Sequence, residues 1–198
     1  MPLNLFIIGP SGCGKSTQAK LIADKYDLTH FSTGKLFRHQ MSQKTILGLE
    51  AKKFIDKGIF CPDELVLKIL FSSLNSVNYT NFIVDGTPRS PNQSKIVENQ
   101  LKTHQQNITA LIHLSVTYQE IQKRRSKMGQ SFQDKSRTDT SPTAMAERQQ
   151  QYENKIKPIL EFHQERDQLI EIDGNRPIDP IFQDICQKID QLPINKNQ

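Results

Sequence analysis

The chain has 198 residues, of which 35% are hydrophobic and 24% charged, with a formal net charge of +5 and a pI near 9.1. This length supports one well-buried domain and is short of two ordinary ones, so extra substructure is expected as an insertion into a single core. Cys13, Cys61 and Cys186 are odd in number and form no C-x-x-C pair, which argues against a disulfide framework and a zinc site and favours a reducing compartment.

The net positive charge leaves the class of partner open, because nucleic acid, an acidic surface and an acidic small molecule all attract positive charge. The apolar stretch at residues 3–8 is shorter than a membrane span and lacks the small-residue cleavage site of a signal peptide. These features predict a soluble cytoplasmic protein with no membrane partner.

Short apolar runs predict five strands, at residues 3–8, 28–32, 82–84, 110–114 and 169–172, of which the second is the weakest. Their apolarity is continuous rather than alternating, which is typical of strands in a parallel sheet that is covered on both faces. The polar stretches between them predict helices over residues 14–26, 62–74, 92–102, 118–127, 144–166 and 180–189, and Ser32-Thr33 is a further helix start signal. Residues 128–143 are rich in Ser, Asp and Thr and are predicted to form a surface loop.

The segment G-P-S-G-C-G-K-S-T at residues 9–17 follows the first strand and precedes a helix, which is the context that a phosphate-binding loop requires. Its glycines let successive backbone N–H groups converge on one anion, and the helix N-terminus behind them adds its dipole. Lys15 is expected to reach the β- and γ-phosphates of a nucleotide, and the Ser16 hydroxyl to ligate Mg²⁺. The pattern predicts a P-loop three-layer α/β/α sandwich with a five-stranded parallel sheet.

Two further segments each follow or include a predicted strand and end in an arginine. S-T-G-K-L-F-R at residues 32–38 follows the second strand, and by itself it is equally compatible with a helix cap and one exposed arginine. F-I-V-D-G-T-P-R at residues 82–89 places an acid at the carboxyl end of a buried strand, where ligands bind in parallel α/β sheets. Asp85 is therefore expected to hold Mg²⁺ through water and Arg89 to face a phosphate, although a plain strand-to-helix turn is the alternative.

With these segments in order, the chain resembles the adenylate kinase family of nucleoside monophosphate kinases over essentially its whole length. The phosphate loop is followed by Gln18, as in the family. Further segments resemble four family motifs: S-T-G-x-x-x-R at 32–38, G-x-x-V-P-D-E-L at 58–65, D-G-F-P-R-x-x-x-Q at 85–93 and I-D-G-x-x-P at 172–177. The resemblance implies a Mg²⁺-dependent monomer that transfers the γ-phosphoryl group of ATP to AMP and forms two ADP. It implies neither a structural zinc ion nor a nucleic-acid partner.

The same resemblance implies one domain over residues 1–198, with a monophosphate-binding (NMP-binding) insertion at 32–61 and a short lid at 125–141. It implies metal contacts from Ser16 and Asp85, and ATP contacts from Gly12, Cys13, Gly14, Lys15, Ser16, Thr17, Arg124 and Arg176. The AMP contacts implied are Thr33, Arg38, Ile59, Phe60, Cys61, Gly86, Arg89, Gln93, Arg137 and Arg148, with Gln93 on the adenine. The implied catalytic cations are Lys15, Arg89, Arg124, Arg137 and Arg148, of which the last three would surround the transferred phosphoryl group when the lid closes. A solvated basic helix face is the other interpretation of the charges at 123–127.

Four departures from the family pattern bear on the activity. Ser16 stands where the family usually has Gly, Thr87 replaces the Phe of D-G-F-P-R, and Met128 stands at an arginine position of short lids. Thr140 replaces the second Asp of the R-x-D-D motif with which the family leaves the lid, here residues 137–140. Losing one phosphate-directed cation costs about two orders of magnitude in rate. The alternatives are therefore a kinase of another monophosphate such as UMP or CMP, favoured by Thr87, and a weakly active nucleotide-binding regulatory module, favoured by Met128 and Thr140. A nucleic-acid-binding protein is suggested only by the positive charge. The chain lacks the interleaved basic and aromatic residues on which nucleic-acid bases stack.

Overall fold

The computed structural model of the chain describes residues 2–57, 59, 61–128 and 142–193, with only the backbone described at residues 125, 127, 128 and 142–148. Within this part of the chain, five strands form one sheet in the spatial order β2-β3-β1-β4-β5, and every neighbouring pair is parallel. The strands are β1 (Asn4–Ile8), β2 (Thr29–Ser32), β3 (Phe82–Asp85), β4 (Ala110–Ser115) and β5 (Leu169–Asp173).

Helices connect the strands and cover both faces of the sheet. They are α1 (Lys15–Tyr26), α2 (Thr33–Ser42), α3 (Ile46–Ile55), α4 (Asp63–Asn75), α5 (Pro91–Thr103), α6 (Tyr118–Met128), α7 (Pro142–Gln164) and α8 (Ile178–Asp190). In the described part of the chain, no helix is both long and apolar enough to cross a membrane.

The central strand β1 is buried along its whole length. Leu5 and Ile7 pack into a core with α1 and α8, whereas Phe6 and Ile8 pack into a second core with α4, α5 and α7. Successive side chains of a strand point to opposite faces of the sheet, so a strand covered on both faces must be apolar at every position. The predicted α/β class with a five-stranded parallel sheet is confirmed.

Helices α2 and α3 form a smaller substructure between β2 and α4. They pack tightly, because a Cβ atom on Gly48 would lie 2.2 Å from the carbonyl oxygen of Gln40. A separate cluster containing Phe37, Ala51 and Leu65 joins the two helices to α4. The sequence analysis predicts the start of α2 at Ser32-Thr33 but does not predict α3.

The predicted surface loop at 128–143 is wrong at both ends. Met128 belongs to the last turn of α6, and α7 begins at Pro142 instead of at residue 144. Proline is favoured in the first turn of a helix because its missing N–H would have no intrahelical partner there. Residues 129–141, which include most of the predicted lid, lie outside the described residues.

Candidate nucleotide-binding site

The loop between β1 and α1 owes its shape to two glycines. Gly12 has a φ of 86° and Gly14 a φ of 103°, a region that glycine enters without the strain other residues meet. Gly14 caps α1, and no side chain accepts a hydrogen bond from the first turn of that helix at this cap. The N–H groups and the positive end of the helix dipole therefore suit an anion.

Lys15 is the first residue of α1 and folds back over this loop. Its Nζ atom donates a hydrogen bond to the carbonyl oxygen of Pro10 at 2.7 Å and lies 3.7 Å from Sγ of the buried Cys13. The ammonium group is thus held at the mouth of the loop, where a bound phosphate would exchange the Pro10 contact for a charged one.

Ser16 and Asp85 meet beside the loop. The Ser16 hydroxyl donates a short hydrogen bond to Oδ2 of Asp85, the last residue of β3, whose side chain is buried. The nearest histidine, His30, has Nε2 at 4.0 Å from the same oxygen, and burial lowers the pKa of its imidazole. A neutral ring therefore faces Asp85 near pH 7.

This oxygen pair fits Mg²⁺. The ion is typically held by one or two protein carboxylates together with water and substrate phosphates, rather than by a complete protein cage. In keeping with that pattern, the described residues contain no group of three His, Cys, Asp or Glu side chains that could hold a metal. The three cysteines are free thiols.

One cavity brings most of the predicted phosphate-binding residues together, and we call it the phosphate cavity. It is lined by Ile8, Gly9, Ser11, Gly12, Lys15, Ser16, Ser32, Gly34, Arg38, Asp85, Gly86, Pro88, Arg89, Tyr152, Lys155, Ile156 and Ile159. Its charged lining consists of Lys15, Arg38, Arg89 and Lys155 against the single carboxylate of Asp85. A concave surface with this excess of positive charge attracts polyphosphates.

The two arginines of the acceptor side lie against glycines. A Cβ on Gly34 would lie 3.2 Å from Nη1 of Arg38, and one on Gly86 would lie 3.4 Å from Nη2 of Arg89. Arg89 Nε also donates to the carbonyl oxygen of Gly86 at 2.7 Å. Gly34 thus lies in tight contact with the Arg38 guanidinium, whereas a Cβ at Gly86 would make only an ordinary contact with Arg89, and glycine is favoured at position 86 by its φ of 91°.

Thr33 and Thr87 form a buried pair behind this wall. Their hydroxyl groups are 2.9 Å apart, and both residues are almost inaccessible to solvent. Thr87 is the residue that replaces the family's Phe, so the hydroxyl expected to bind AMP is instead hydrogen-bonded within the protein. Binding a ligand through Thr33 requires this bond to be exchanged.

Gln93 is also occupied within the protein, and only 1% of it is exposed. Its Oε1 atom accepts from the backbone N–H of Arg89 at 2.8 Å, and its Nε2 atom donates to Oδ1 of Asp63 at 2.7 Å. Asp63 further accepts from Ser90 and Asn92, so it joins the start of α4 to the start of α5. The expected contact of Gln93 with adenine therefore competes with two internal hydrogen bonds.

Two further predicted acceptor residues, Ile59 and Cys61, do not line the phosphate cavity. Ile59 is 39% exposed. Cys61 donates a weak hydrogen bond to the carbonyl oxygen of Ala51 at 3.8 Å, and burial raises the pKa of its thiol to about 11. Phe60, Arg137 and Thr140 lie outside the described residues, as do the side chains of Met128 and Arg148.

A second cavity on the other side of the loop is lined by predicted donor residues, and we call it the donor cavity. It is lined by Gly12, Cys13, Gly14, Thr17, Gln18, Leu114, Glu120, Lys123, Arg124, Asn175, Arg176, Pro177, Ile178 and Ile181. Only Gly12 is common to the two cavities. The two cavities therefore meet at the phosphate loop.

Arg124 closes one side of the donor cavity. Its guanidinium group donates to the carbonyl oxygens of Cys13 at 2.8 Å and Arg176 at 3.1 Å, and also to that of Gly174. Glu120, one helical turn earlier, accepts from its Nε at 2.9 Å. Here Arg124 binds backbone of the donor cavity and does not line the phosphate cavity, so its expected place near the transferred group requires a rearrangement.

Arg176 lies in the turn after β5 and contributes both backbone and side chain to the donor cavity. Its Nη2 atom pairs with Oδ2 of Asp184 at 2.6 Å, and Nε lies 3.8 Å from Oδ2 of Asp173. The side chain of Arg176 is thereby paired with carboxylates of its own chain.

The sequence analysis did not identify the part that α7 plays in the phosphate cavity. Tyr152, Lys155, Ile156 and Ile159 line it with the i, i+3, i+4, i+7 spacing of one helix face. That spacing is present in the sequence and could have indicated a shared face. It is also the ordinary spacing of a core-facing helix, so by itself it does not indicate a binding surface.

The comparison with known proteins agrees with this arrangement. The family model described as adenylate kinase matches residues 7–168. The chain belongs to the adenylate kinase family. Three relatives are each named adenylate kinase: one from Azobacteroides pseudotrichonymphae (35% identical, covering 96% of this chain and 98% of the relative), one from Trichodesmium erythraeum (35%, 96% and 99%) and one from Clostridium perfringens strain 13 (30%, 94% and 97%). The adenylate kinase resemblance noted from the motifs is confirmed.

Proposed function

We propose that this chain transfers the γ-phosphoryl group of ATP to AMP in a Mg²⁺-dependent reaction that forms two ADP. The observation that supports it most directly is the phosphate cavity, which brings Lys15 of the loop within the same concave surface as Arg38 and Arg89 of the acceptor side. Relatives named adenylate kinase, similar over nearly the whole chain, support the same reaction.

The proposed mechanism assigns ATP to the loop and to the donor cavity. The triphosphate lies on the N–H groups at the start of α1, Lys15 contacts the β- and γ-phosphates, and the base lies by the turn that carries Arg176. When bound, Mg²⁺ neutralises charge on the β- and γ-phosphates. Ser16 and Asp85 would hold it, with water completing its coordination.

AMP occupies the acceptor side, with its phosphate between Arg38 and Arg89. Phosphoryl transfer passes through a loose transition state whose charge is spread over several oxygens, so positioned cations and exclusion of water supply most of the catalysis. The residues implied by the family, Arg124, Arg137 and Arg148, are proposed to join them when the lid at 125–141 closes. No side chain of the protein becomes covalently attached to phosphate in this scheme.

The test is a coupled assay of ADP formation with ATP and Mg²⁺, run with AMP, CMP, UMP and GMP as acceptors. We expect AMP to give the highest kcat/KM and removal of Mg²⁺ to abolish turnover. ADP formation that depends on UMP or CMP instead would support the second candidate, a kinase of another monophosphate. That candidate is favoured by the internal hydrogen bonds of Gln93 and by the replacement of the family's Phe with Thr87.

The chain is further proposed to act as a cytoplasmic monomer: its cysteines are free thiols, which suits a reducing compartment, and the family resemblance implies a monomer. Light scattering on the purified protein tests the monomer, and fractionation of the source cells tests the compartment. A dimer whose interface covers either cavity would contradict this part of the proposal.

A further inference from the structure

His113 forms a buried bridge between three elements of the fold. It lies on β4, where it is 7% exposed. Its Nε2 atom is 2.8 Å from the hydroxyl of Tyr152 on α7, and its Nδ1 atom is 3.4 Å from Oε1 of Glu171 on β5. The parallel register places His113 directly beside Glu171, which explains why both side chains reach the same face of the sheet.

The partners determine the direction of these hydrogen bonds. An ionised carboxylate can only accept, so Nδ1 of His113 carries the proton and donates to Glu171. Nε2 then has a free lone pair and accepts from the Tyr152 hydroxyl. Burial lowers the pKa of His113 and raises the pKa of Tyr152, so both groups are neutral near pH 7 and the pair persists in this form.

Tyr152 connects this bridge to the phosphate cavity. It lines the cavity together with Lys155, which follows it by three residues on the same face of α7. It shares this cavity with Gly12 and Lys15 of the phosphate loop. Arg148, an expected catalytic cation, precedes Tyr152 by one turn of the helix.

We propose that His113 is a positioning residue which, by holding the Tyr152 hydroxyl, fixes α7 against the sheet at this point and thereby places Lys155, on the same helix face, at the transferring phosphate. This inference rests on the proposed phosphoryl transfer. Transition-state charge is stabilised only by groups at the correct distance, and a displacement of about 1 Å can lower a rate by about a hundredfold. Ground-state binding depends less on this placement, because Lys15, Arg38 and Arg89 hold the phosphates from other elements.

The test is a double-mutant cycle with Tyr152→Phe and His113→Leu, measured with whichever monophosphate the wild-type protein uses best. Each single variant should lower kcat about tenfold while KM for both nucleotides stays within about twofold, because a group that acts mainly in the transition state changes kcat. The double variant should be no slower than the slower single variant, because both changes remove the same bond. His113→Gln returns an acceptor to the position of Nε2 and should recover most of kcat.

A matched control separates positioning from stability. His163 is another fully buried histidine whose Nε2 lies 3.0 Å from a hydroxyl, that of Ser94, away from both cavities. His163→Leu should lower Tm at least as much as His113→Leu but leave kcat at the wild-type value. Nitrogen NMR of the wild-type protein should show the Nδ1–H tautomer at His113.

Different results overturn different statements. A wild-type protein that transfers phosphate to no monophosphate overturns the proposed function and this inference with it. An active wild type whose kcat is unchanged in Tyr152→Phe, or whose two single effects multiply in the double variant, overturns the positioning role alone. An Nε2–H tautomer at His113 would overturn only the assigned direction of this hydrogen bond, because Nε2–H would then donate to the Tyr152 oxygen.

Discussion

At the scale of single residues, Lys15 combines a local contact with a charge at the mouth of the phosphate loop. Its hydrogen bond to Pro10 spans five residues, and its ammonium group lines the phosphate cavity. This single hydrogen bond to an uncharged carbonyl group lies at a partly exposed position, so its loss should lower stability little. The positive charge, in contrast, is needed to stabilise the phosphoryl group during transfer.

Lys15→Met is therefore expected to keep the fold and to lose phosphoryl transfer. A cation directed at the transition state contributes at least about 1.4 kcal/mol, or a factor of about ten in rate. Steady-state kinetics and thermal unfolding of the variant check both parts. Lys20→Met changes an exposed lysine of the same helix and should match wild type in both measurements. A Lys15→Met protein with more than about a tenth of the wild-type kcat contradicts the assignment.

Gln93 shows where sequence motifs stop being informative about a residue. The motif places an amide near the acceptor base, but it does not show that Asp63, thirty residues away in the chain, holds that amide at 2.7 Å. The contact exists because the N-termini of α4 and α5 meet in space, which a single sequence does not encode in any local pattern. Whether the amide also contacts adenine is therefore a matter for experiment.

Gln93→Ala tests whether the amide reads the base. If it pairs with the N1/N6 edge of adenine in the bound state, its removal should reduce the preference for AMP over UMP in kcat/KM by about tenfold or more. Asn92→Ala removes another donor to Asp63 from the exposed side of the same junction and should leave the preference unchanged. An unchanged preference in Gln93→Ala would mean that the residue only joins α4 to α5.

At the scale of elements, the strands could be predicted because burial on both faces imposes an unbroken apolar run. Helix α3 could not, because its buried positions are the small residues Gly48 and Ala51, while Ile46 and Leu49 are 86% and 51% exposed. Leu47 and Ile55 also lie on the packed face but are only partly buried, so the apolar pattern marks that face weakly. Packing of α3 requires its backbone to approach that of α2 closely at Gly48. This requirement comes from the contact with α2 and cannot be recognised from the periodicity of α3.

Helix α7 poses the opposite case, because the element and a catalytic Arg148 on it were predicted, but the contribution of residues 152–159 to the phosphate cavity was not. Lys155 lines this cavity, whereas Lys157 on the same helix does not line it and lies 3.8 Å from Glu161. A lysine that faces phosphate adds long-range attraction and a direct contact, neither of which Lys157 can supply from the outer face.

Lys155→Met is expected to raise KM for at least one nucleotide or to lower kcat, with a combined loss in kcat/KM of about fivefold to fiftyfold, or about 1–2 kcal/mol. The matched control Lys157→Met should have no effect on kcat/KM. Both variants should unfold near the wild-type temperature, because surface ion pairs contribute little to stability. Equal kinetics for the two variants would show that Lys155 makes no contact with the phosphates.

At the scale of the whole molecule, buried histidines form hydrogen bonds between different helices and strands. His163 on α7 lies 3.0 Å from the hydroxyl of Ser94 on α5 and 3.1 Å from Oε1 of Gln168, and it is fully buried. His113 plays the corresponding part between β4, β5 and α7. Burial lowers the pKa of each imidazole, although the carboxylates of Glu171 near His113 and Glu98 near His163 act in the opposite direction.

Stability is therefore expected to fall as the pH decreases below about 6.5, the ordinary pKa of histidine in an unfolded chain. Below that pH the unfolded state binds protons that the folded state excludes, so the free energy of unfolding declines until the folded pKa is passed. Each such histidine contributes a slope of up to about 1.4 kcal/mol per pH unit. Urea unfolding between about pH 5 and 7 measures this slope.

His163→Gln should reduce the slope even if it lowers stability at pH 7, whereas His39→Gln, at an exposed position, should not. A slope unchanged in His163→Gln would mean that this ring takes up its proton without unfolding, through a local opening of the contact between α5 and α7.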